Sequence, residues 1–282
     1  VSIVVETAGA ETLGALPPAR HAAVGGRRLA YREAGSGPPL LLLHGVGSGA
    51  GSWLAQLASL ATRRRVIAWD APGYGESDRL PDPAPGAADY AAAALGLADA
   101  LRLERFVLLG HSLGAIMAAA LCARHGARVE RLILSAPAAG YGKASPDERA
   151  ARIGPRISDM ARLGPVGLAE TRARNLLAPN ASADAIAHVR AVMSQLRPDG
   201  YEQACRLLGR ADIFADLGAI AVPTLVMCGD ADAVTPEDGC RRIAAAISGA
   251  GYETLRGVGH AAYIEDPAQY DAALLRFLEA AS

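Results

Sequence analysis

Cysteine is scarce in this chain and net charge is almost absent, and each shortage excludes a class of protein. The four cysteines, Cys122, Cys205, Cys228 and Cys240, are scattered over 282 residues without a C-x-x-C pair. That spacing excludes a disulfide-stapled scaffold and a cysteine-rich zinc module. Cys122 and Cys228 fall in apolar runs, where buried reduced thiols are expected, and reduced thiols favour a cytoplasmic location. Lys and Arg number 28 against 29 Asp and Glu, a formal net charge of −1. With no basic stripe and no RNA-binding signature, a nucleic-acid partner is not expected. No uninterrupted apolar run approaches a membrane span. No segment has the charged start, apolar stretch and cleavage site of a signal peptide, although a sequence beginning at Val1 leaves room for a removed targeting segment. Oligomeric state is not readable from any of this.

What is present is ample apolar material. The hydrophobic fraction is 51%, enough for a substantial core, and the length suits one large α/β domain carrying an inserted subdomain. Residues 1–24 read as an arm, with Ser2–Glu6 as a possible edge strand. Arg28–Glu33 reads as a strand ending in the turn Ala34-Gly-Ser-Gly-Pro38. Leu40–Leu43 is a continuous apolar run, as expected of a strand covered on both faces of a parallel sheet. It leads into the glycine-rich His44-Gly-Val-Gly-Ser-Gly-Ala-Gly-Ser-Trp53. Arg65–Trp69 is the next strand, followed by the loop Asp70–Ser77, a Pro-rich stretch over 78–88, and an Ala-rich helix from Asp89, placed as its N-cap, to Leu101. Phe106–Leu109 and Arg131–Ser135 are further strands, with a helix between them.

From 141 to 200 the strand–helix alternation stops, and short helices broken at Gly154-Pro155, Gly164-Pro165, Pro179 and Pro198 are expected. Alternation resumes with Pro223–Cys228, a helix over Gly239–Ile247, a short strand at Tyr252–Leu255 and a last helix from Pro267. The pattern predicts a mostly parallel, doubly wound sheet covered on both faces. The core would be residues 25–140 and 201–282, with a helical cap inserted over 141–200.

The chemistry centres on Gly110-His-Ser-Leu-Gly114, which fits G-x-S-x-G between a strand and a helix. A turn that tight pushes the serine above the sheet edge in a strained conformation. A serine hydroxyl needs a neighbouring histidine to take its proton, a carboxylate to orient that histidine, and N–H groups aimed at the oxyanion. In an open parallel sheet these groups belong at the carboxyl ends of strands. Past the strand ending at Cys228 lies Gly229-Asp-Ala-Asp-Ala-Val-Thr-Pro236; past Leu255 lies Gly257-Val-Gly-His260. Ser112, an acid at 230 or 232, and His260 thus occur in the order serine, acid, histidine.

On these residues the chain resembles the α/β-hydrolase superfamily over about residues 25–280. The resemblance implies that Asp232, three residues after Gly229, is the acid, while Asp230 organises the turn. It also implies that the acid is not drawn from the preceding strand end, since Ser135-Ala-Pro137 holds no carboxylate. The oxyanion donors it implies are the N–H groups of Val46 and Leu113. Gly45, Gly47, His44 and His111 are expected at the pocket, His44 chiefly as a hydrogen-bonded support of its loop and Asp70–Ser77 as a structural loop. His21, His125 and His188 have no partner pattern and are expected in solvent.

The implied activity is cofactor-free and metal-free cleavage of a small-molecule carboxylic ester, lactone or thioester, with no membrane partner. Serine at position 112 argues against relatives with an aspartate nucleophile, which dehalogenate haloalkanes or open epoxides. Relatives that hydrolyse carbon–carbon bonds of 2-hydroxy-6-oxo-dienoate ring-fission products use the same triad and remain the alternative. Their loops commonly continue Gly-Pro-Gly where this chain has Gly47-Ser48-Gly49, and they carry Asn where it has His111. Peroxide-using relatives and a non-catalytic receptor of the same fold are more distant readings. Residues 141–200 carry nine Lys or Arg against six Asp or Glu. That balance reads as a solvated helical face or, more sharply, as a source of an arginine that clamps an anionic group.

Overall fold

A computed structural model describes residues 15–280. Eight strands form one sheet: β1 (Arg20–Val24), β2 (Arg27–Ala34), β3 (Pro39–Leu43), β4 (Arg65–Trp69), β5 (Phe106–His111), β6 (Val129–Ser135), β7 (Thr224–Gly229) and β8 (Gly251–Leu255). Their order is β1-β2-β4-β3-β5-β6-β7-β8. β1 and β2 are antiparallel to their neighbours, and the remaining six are parallel. The central strands are buried from end to end, Leu40–Leu43 and Phe106–His111 included. That explains why their sequences run apolar without alternation.

The helices are α1 (Leu54–Ser59), α2 (Ala87–Ala100), α3 (Leu113–His125), α4 (Pro146–Arg172), α5 (Ala183–Met193), α6 (Pro198–Arg210), α7 (Phe214–Leu217), α8 (Glu237–Ala245), α9 (Ala262–Glu265) and α10 (Pro267–Glu279). The mostly parallel sheet flanked by helices is the architecture that the strand–helix alternation predicts. No described helix is long and apolar enough to cross a membrane.

Local details depart from expectation. Ser2–Glu6 lies outside the described residues, and the arm assigned to 1–24 ends in β1, whose Arg20 pairs with Tyr31. α2 begins at Ala87 with Gly86 as its N-cap, so Asp89 occupies the third helical position. From there its carboxylate accepts the Gly86 N–H at 2.8 Å, the reciprocal half of a capping box. α4 runs straight through Gly154-Pro155; its only non-helical residue is Gly164, at φ 65° and ψ 178°. The boundary set between 200 and 201 falls inside α6. The two ends of the helical excursion between β6 and β7 are stitched together. There Tyr141 N–H donates to Leu208 O, Gly142 N–H to Ala211 O and Ile213 N–H to Ala139 O, at 2.7–3.0 Å.

Candidate active site

Loops after β3, β5, β7 and β8 converge at the carboxyl edge of the sheet, beneath the helices of residues 146–210. β5 passes into α3 through Ser112, at φ 54° and ψ −115°. A Cβ at Gly110 would stand 2.3 Å from the Gly114 carbonyl oxygen, and one at Gly114 would stand 2.2 Å from that of Leu43. Both positions therefore require glycine, and the turn closes backbone against backbone. Positive φ in a non-glycine residue costs about 1–3 kcal/mol and persists only where its surroundings over-determine it. Here Ser112 N–H donates to Ser135 O at 3.0 Å, while Ala115 and Ala138 N–H donate to Ser112 O at 3.0 and 3.2 Å. The Ser112 hydroxyl makes no hydrogen bond among the described residues.

The carboxylate of Asp232 is fixed on both oxygens. Oδ1 accepts the Val234 and Thr235 N–H groups at 2.7 and 2.9 Å. Oδ2 lies 2.8 Å from Nδ1 of His260 and accepts the Thr235 hydroxyl at 2.8 Å. A carboxylate facing Nδ1 places the ring proton there and leaves Nε2 as the basic nitrogen. Burial alone would push the Asp232 carboxyl up, but the imidazole beside it and the hydrogen bonds from His260 and Thr235 outweigh burial. They hold it below the usual carboxylate value. Asp230 is turned away, its Oδ1 accepting the Gly257 N–H at 2.7 Å and its Oδ2 standing 3.5 Å from Arg256.

The N–H groups of Val46 and Leu113 donate to no protein group among the described residues, and both residues line the cavity above Ser112. Leu113 opens α3, where first-turn N–H groups have no helical partner and the helix dipole is positive. Val46 is held from behind by the Tyr74 hydroxyl, which donates to its carbonyl at 2.8 Å. Gly45, Gly47 and His111 line the same cavity, but His44 does not. Its Nδ1 faces Gly45 O at 2.8 Å and its Nε2 accepts the Ala71 N–H at 3.0 Å, so both nitrogens are used to hold the loop. Asp70 belongs to the same frame: buried, it accepts the Ala50 N–H at 2.8 Å.

Two participants were not singled out by sequence. Thr235 Oγ1 lies 3.1 Å from His260 Nδ1 and 3.1 Å from Ala136 O as well as touching Asp232. The available signal was the D-x-x-T spacing of a side-chain-closed turn. Tyr263 lines the cavity and stacks on buried Trp53, ring centroids 4.3 Å apart. Glu265 bridges two elements. Its carboxylate accepts Gly259 N–H at 2.7 Å and Ala178 N–H at 2.8 Å, while Ala261 N–H donates to Leu176 O at 2.9 Å.

The cavity encloses about 480 Å³. Among the described residues no cluster of three or more His, Cys, Asp or Glu could hold a metal. All four cysteines are buried free thiols.

His188, expected in solvent, is buried, with Nε2 3.1 Å from Gly51 O. His125 is exposed, and His21 is paired with exposed Glu76 at 2.9 Å. Burial lowers the pKa of His44, His188 and His111, the last to about 3, where nearby His260 adds to burial. These three imidazoles are protonated in the unfolded chain but not in the folded one as pH falls through about 6.5, so stability falls with pH by up to about 1.4 kcal/mol per pH unit for each. Buried Asp70 and Asp271 and half-buried Glu265, whose carboxyls are raised by desolvation, oppose this trend at lower pH. His188→Gln keeps a donor for Gly51 O but cannot titrate. Urea midpoints between pH 7 and 5 should therefore fall less steeply in that variant; equal slopes would refute the assignment of a neutral buried ring.

The chain matches the model of the α/β hydrolase fold family over residues 38–267, and it belongs to that family. It is 30% identical over 273 residues to a 2-hydroxymuconate semialdehyde hydrolase of Pseudomonas sp. (strain CF600), covering 92% of this chain and 93% of that one. Among solved structures it is similar to the enol-lactonase from Burkholderia xenovorans LB400, at a TM-score of 0.82 and 29% identity, covering 93% of this chain and 100% of the other. A thermophilic esterase from Thermogutta terrifontis gives a TM-score of 0.83 at 27% identity, with 93% and 98% covered.

Proposed function

We propose that this protein is a serine hydrolase that cleaves a carboxylic ester, lactone or thioester through an acyl-enzyme on Ser112. The observation that carries the reading is the Asp232–His260 pair, held on both carboxylate oxygens, whose His260 lines the same cavity as a strained serine whose hydroxyl has no competing partner. In this reading Ser112 Oγ attacks the carbonyl carbon and its proton passes to His260 Nε2. Asp232 keeps the ring in the required tautomer and stabilises its charged form. The N–H groups of Val46 and Leu113 receive the oxyanion. Their value lies in being already oriented, because loss of one such donor typically costs about 10²–10³ in rate. The tetrahedral intermediate expels the alcohol or thiol, which takes the proton from His260. Water then gives its proton to His260 and attacks the acyl carbon, releasing the acid and restoring Ser112.

The esterase and enol-lactonase among similar structures support this reading. The semialdehyde hydrolase relative supports a second one, carbon–carbon bond hydrolysis of a dienoate ring-fission product with the same three residues. A fluorophosphonate probe tests what both share: it should label the wild-type protein at Ser112 and nowhere in Ser112→Ala. An unlabelled wild type, beside a serine hydrolase that reacts under the same conditions, would exclude a nucleophilic Ser112. Comparing kcat/KM on p-nitrophenyl esters, lactones, acyl thioesters and a dienoate ring-fission product then separates the two reactions.

A further inference from the structure

The basic residues between 141 and 200 are not a uniform solvated face. Most are committed to protein partners: Lys143 to Asp212, Arg162 and Arg172 to Asp159, Arg190 to Glu170, and Arg197 to Ser77 O and Asp199. Arg149 and Arg174 donate to main-chain carbonyls. Arg152 and Arg156 alone among these nine have no hydrogen bond or ion pair among the described residues, and both line the cavity that holds Ser112 and His260.

Their placement sharpens the point. They stand four residues apart on α4, so their side chains share one face, where like charges weaken a helix unless an anion lies between them. Arg156 is half-buried and Arg152 exposed. Arg172 adds a third guanidinium to the lining, tied to Asp159 at 2.8 Å. Among the described residues no aspartate or glutamate lines this cavity. A cavity with apolar walls, a reacting serine at its floor and uncompensated guanidinium groups beneath α4 is short of one negative charge.

Resting on the serine-hydrolase reading, we propose that the substrate carries an anionic group, a carboxylate or a phosphate, on the part that lies beneath α4, where Arg156 and Arg152 receive it. Guanidinium is suited to the task because its planar donors match both anions bidentately and it stays charged at any working pH. The site selects among substrates: neutral and anionic esters undergo the same chemistry, and the arginines decide which is held in place for it.

Matched ester pairs test this. On the acyl side, p-nitrophenyl hydrogen adipate, suberate and sebacate are each compared with their methyl-capped counterparts and with phosphonate-ended analogues. On the alcohol side, 6-acetoxyhexanoate is compared with its methyl ester. Wild type should prefer at least one anionic member by roughly tenfold or more in kcat/KM, the scale of a single charge-assisted hydrogen bond. That preference should shrink with added salt and vanish in the Arg152→Gln/Arg156→Gln double variant. It should survive Arg206→Gln, whose partner Glu202 lies on the same helix, away from the cavity lining. The carboxylate and phosphonate arms identify which anion is taken. Equal turnover of both members in every pair that is cleaved, or a preference that persists in the double variant, overturns the proposal. Calorimetry of monomethyl adipate against dimethyl adipate on Ser112→Ala separates the two readings. Arginine-dependent tighter binding of monomethyl adipate, in a protein whose wild type cleaves no ester, would leave the anion site standing and remove the hydrolase reading.

Discussion

Ser112→Ala should lower kcat by roughly 10⁴-fold or more on whichever substrate the protein turns over, while its thermal midpoint stays at the wild-type value. The size follows from the division of labour proposed above. Without Oγ there is no acyl-enzyme, and what remains is the modest acceleration from the oxyanion donors and substrate positioning. Stability should not move, because the hydroxyl holds nothing: it makes no hydrogen bond among the described residues. The unusual backbone at φ 54° is fixed by main-chain bonds to Ser135 O and from the Ala115 and Ala138 N–H groups, all of which alanine retains. Ordinary turnover in this variant would rule out the mechanism. Loss of activity together with a large fall in midpoint would mean that Ser112 is a structural residue of the turn.

The second large effect should come from Asp232→Asn, and the geometry dictates how. Two main-chain donors, Val234 N–H and Thr235 N–H, converge on Oδ1, so the amide oxygen of asparagine must take that position. Its NH₂ group is then forced into the place of Oδ2, facing Nδ1 of His260. Two donors cannot face each other, so the imidazole proton moves to Nε2, the nitrogen that should accept the proton of Ser112. Holding the wrong tautomer in an otherwise intact triad costs about 10⁴ in kcat. Asp230→Asn should leave kcat near wild type, because asparagine can still accept the Gly257 N–H and only an exposed ion pair with Arg256 is lost. Rates measured side by side decide between the two acids, and the reverse ranking would transfer the role to Asp230.

How much of this was legible in the chain depended on what each feature needs. The turn at 110–114 must have small residues where backbones touch, and the buried strands must be apolar throughout, so both left local signatures. The neighbourhood of Asp232 was half visible, since a carboxylate after a strand is readable but its contact with Thr235 depends on how the turn closes. Long-range partnerships left no trace. His188 looked solvated because its partner, Gly51 O, is 137 residues away, across the gap between α5 and the loop after β3. Proline misled at residue 155, where α4 continues through a missing donor, and informed at 164–165, where positive φ at Gly164 breaks the helix. The bonds that join residues 139–142 to 208–213 link positions far apart in sequence and left no local signature either.

The carboxylate of Glu265 has a mechanical meaning. It grips the strand-end loop that carries His260 and the chain at Ala178, and the bond from Ala261 N–H to Leu176 O runs alongside. Floor and roof are therefore riveted together on the histidine side: lifting residues 176–178 would drag the base out of register with Ser112.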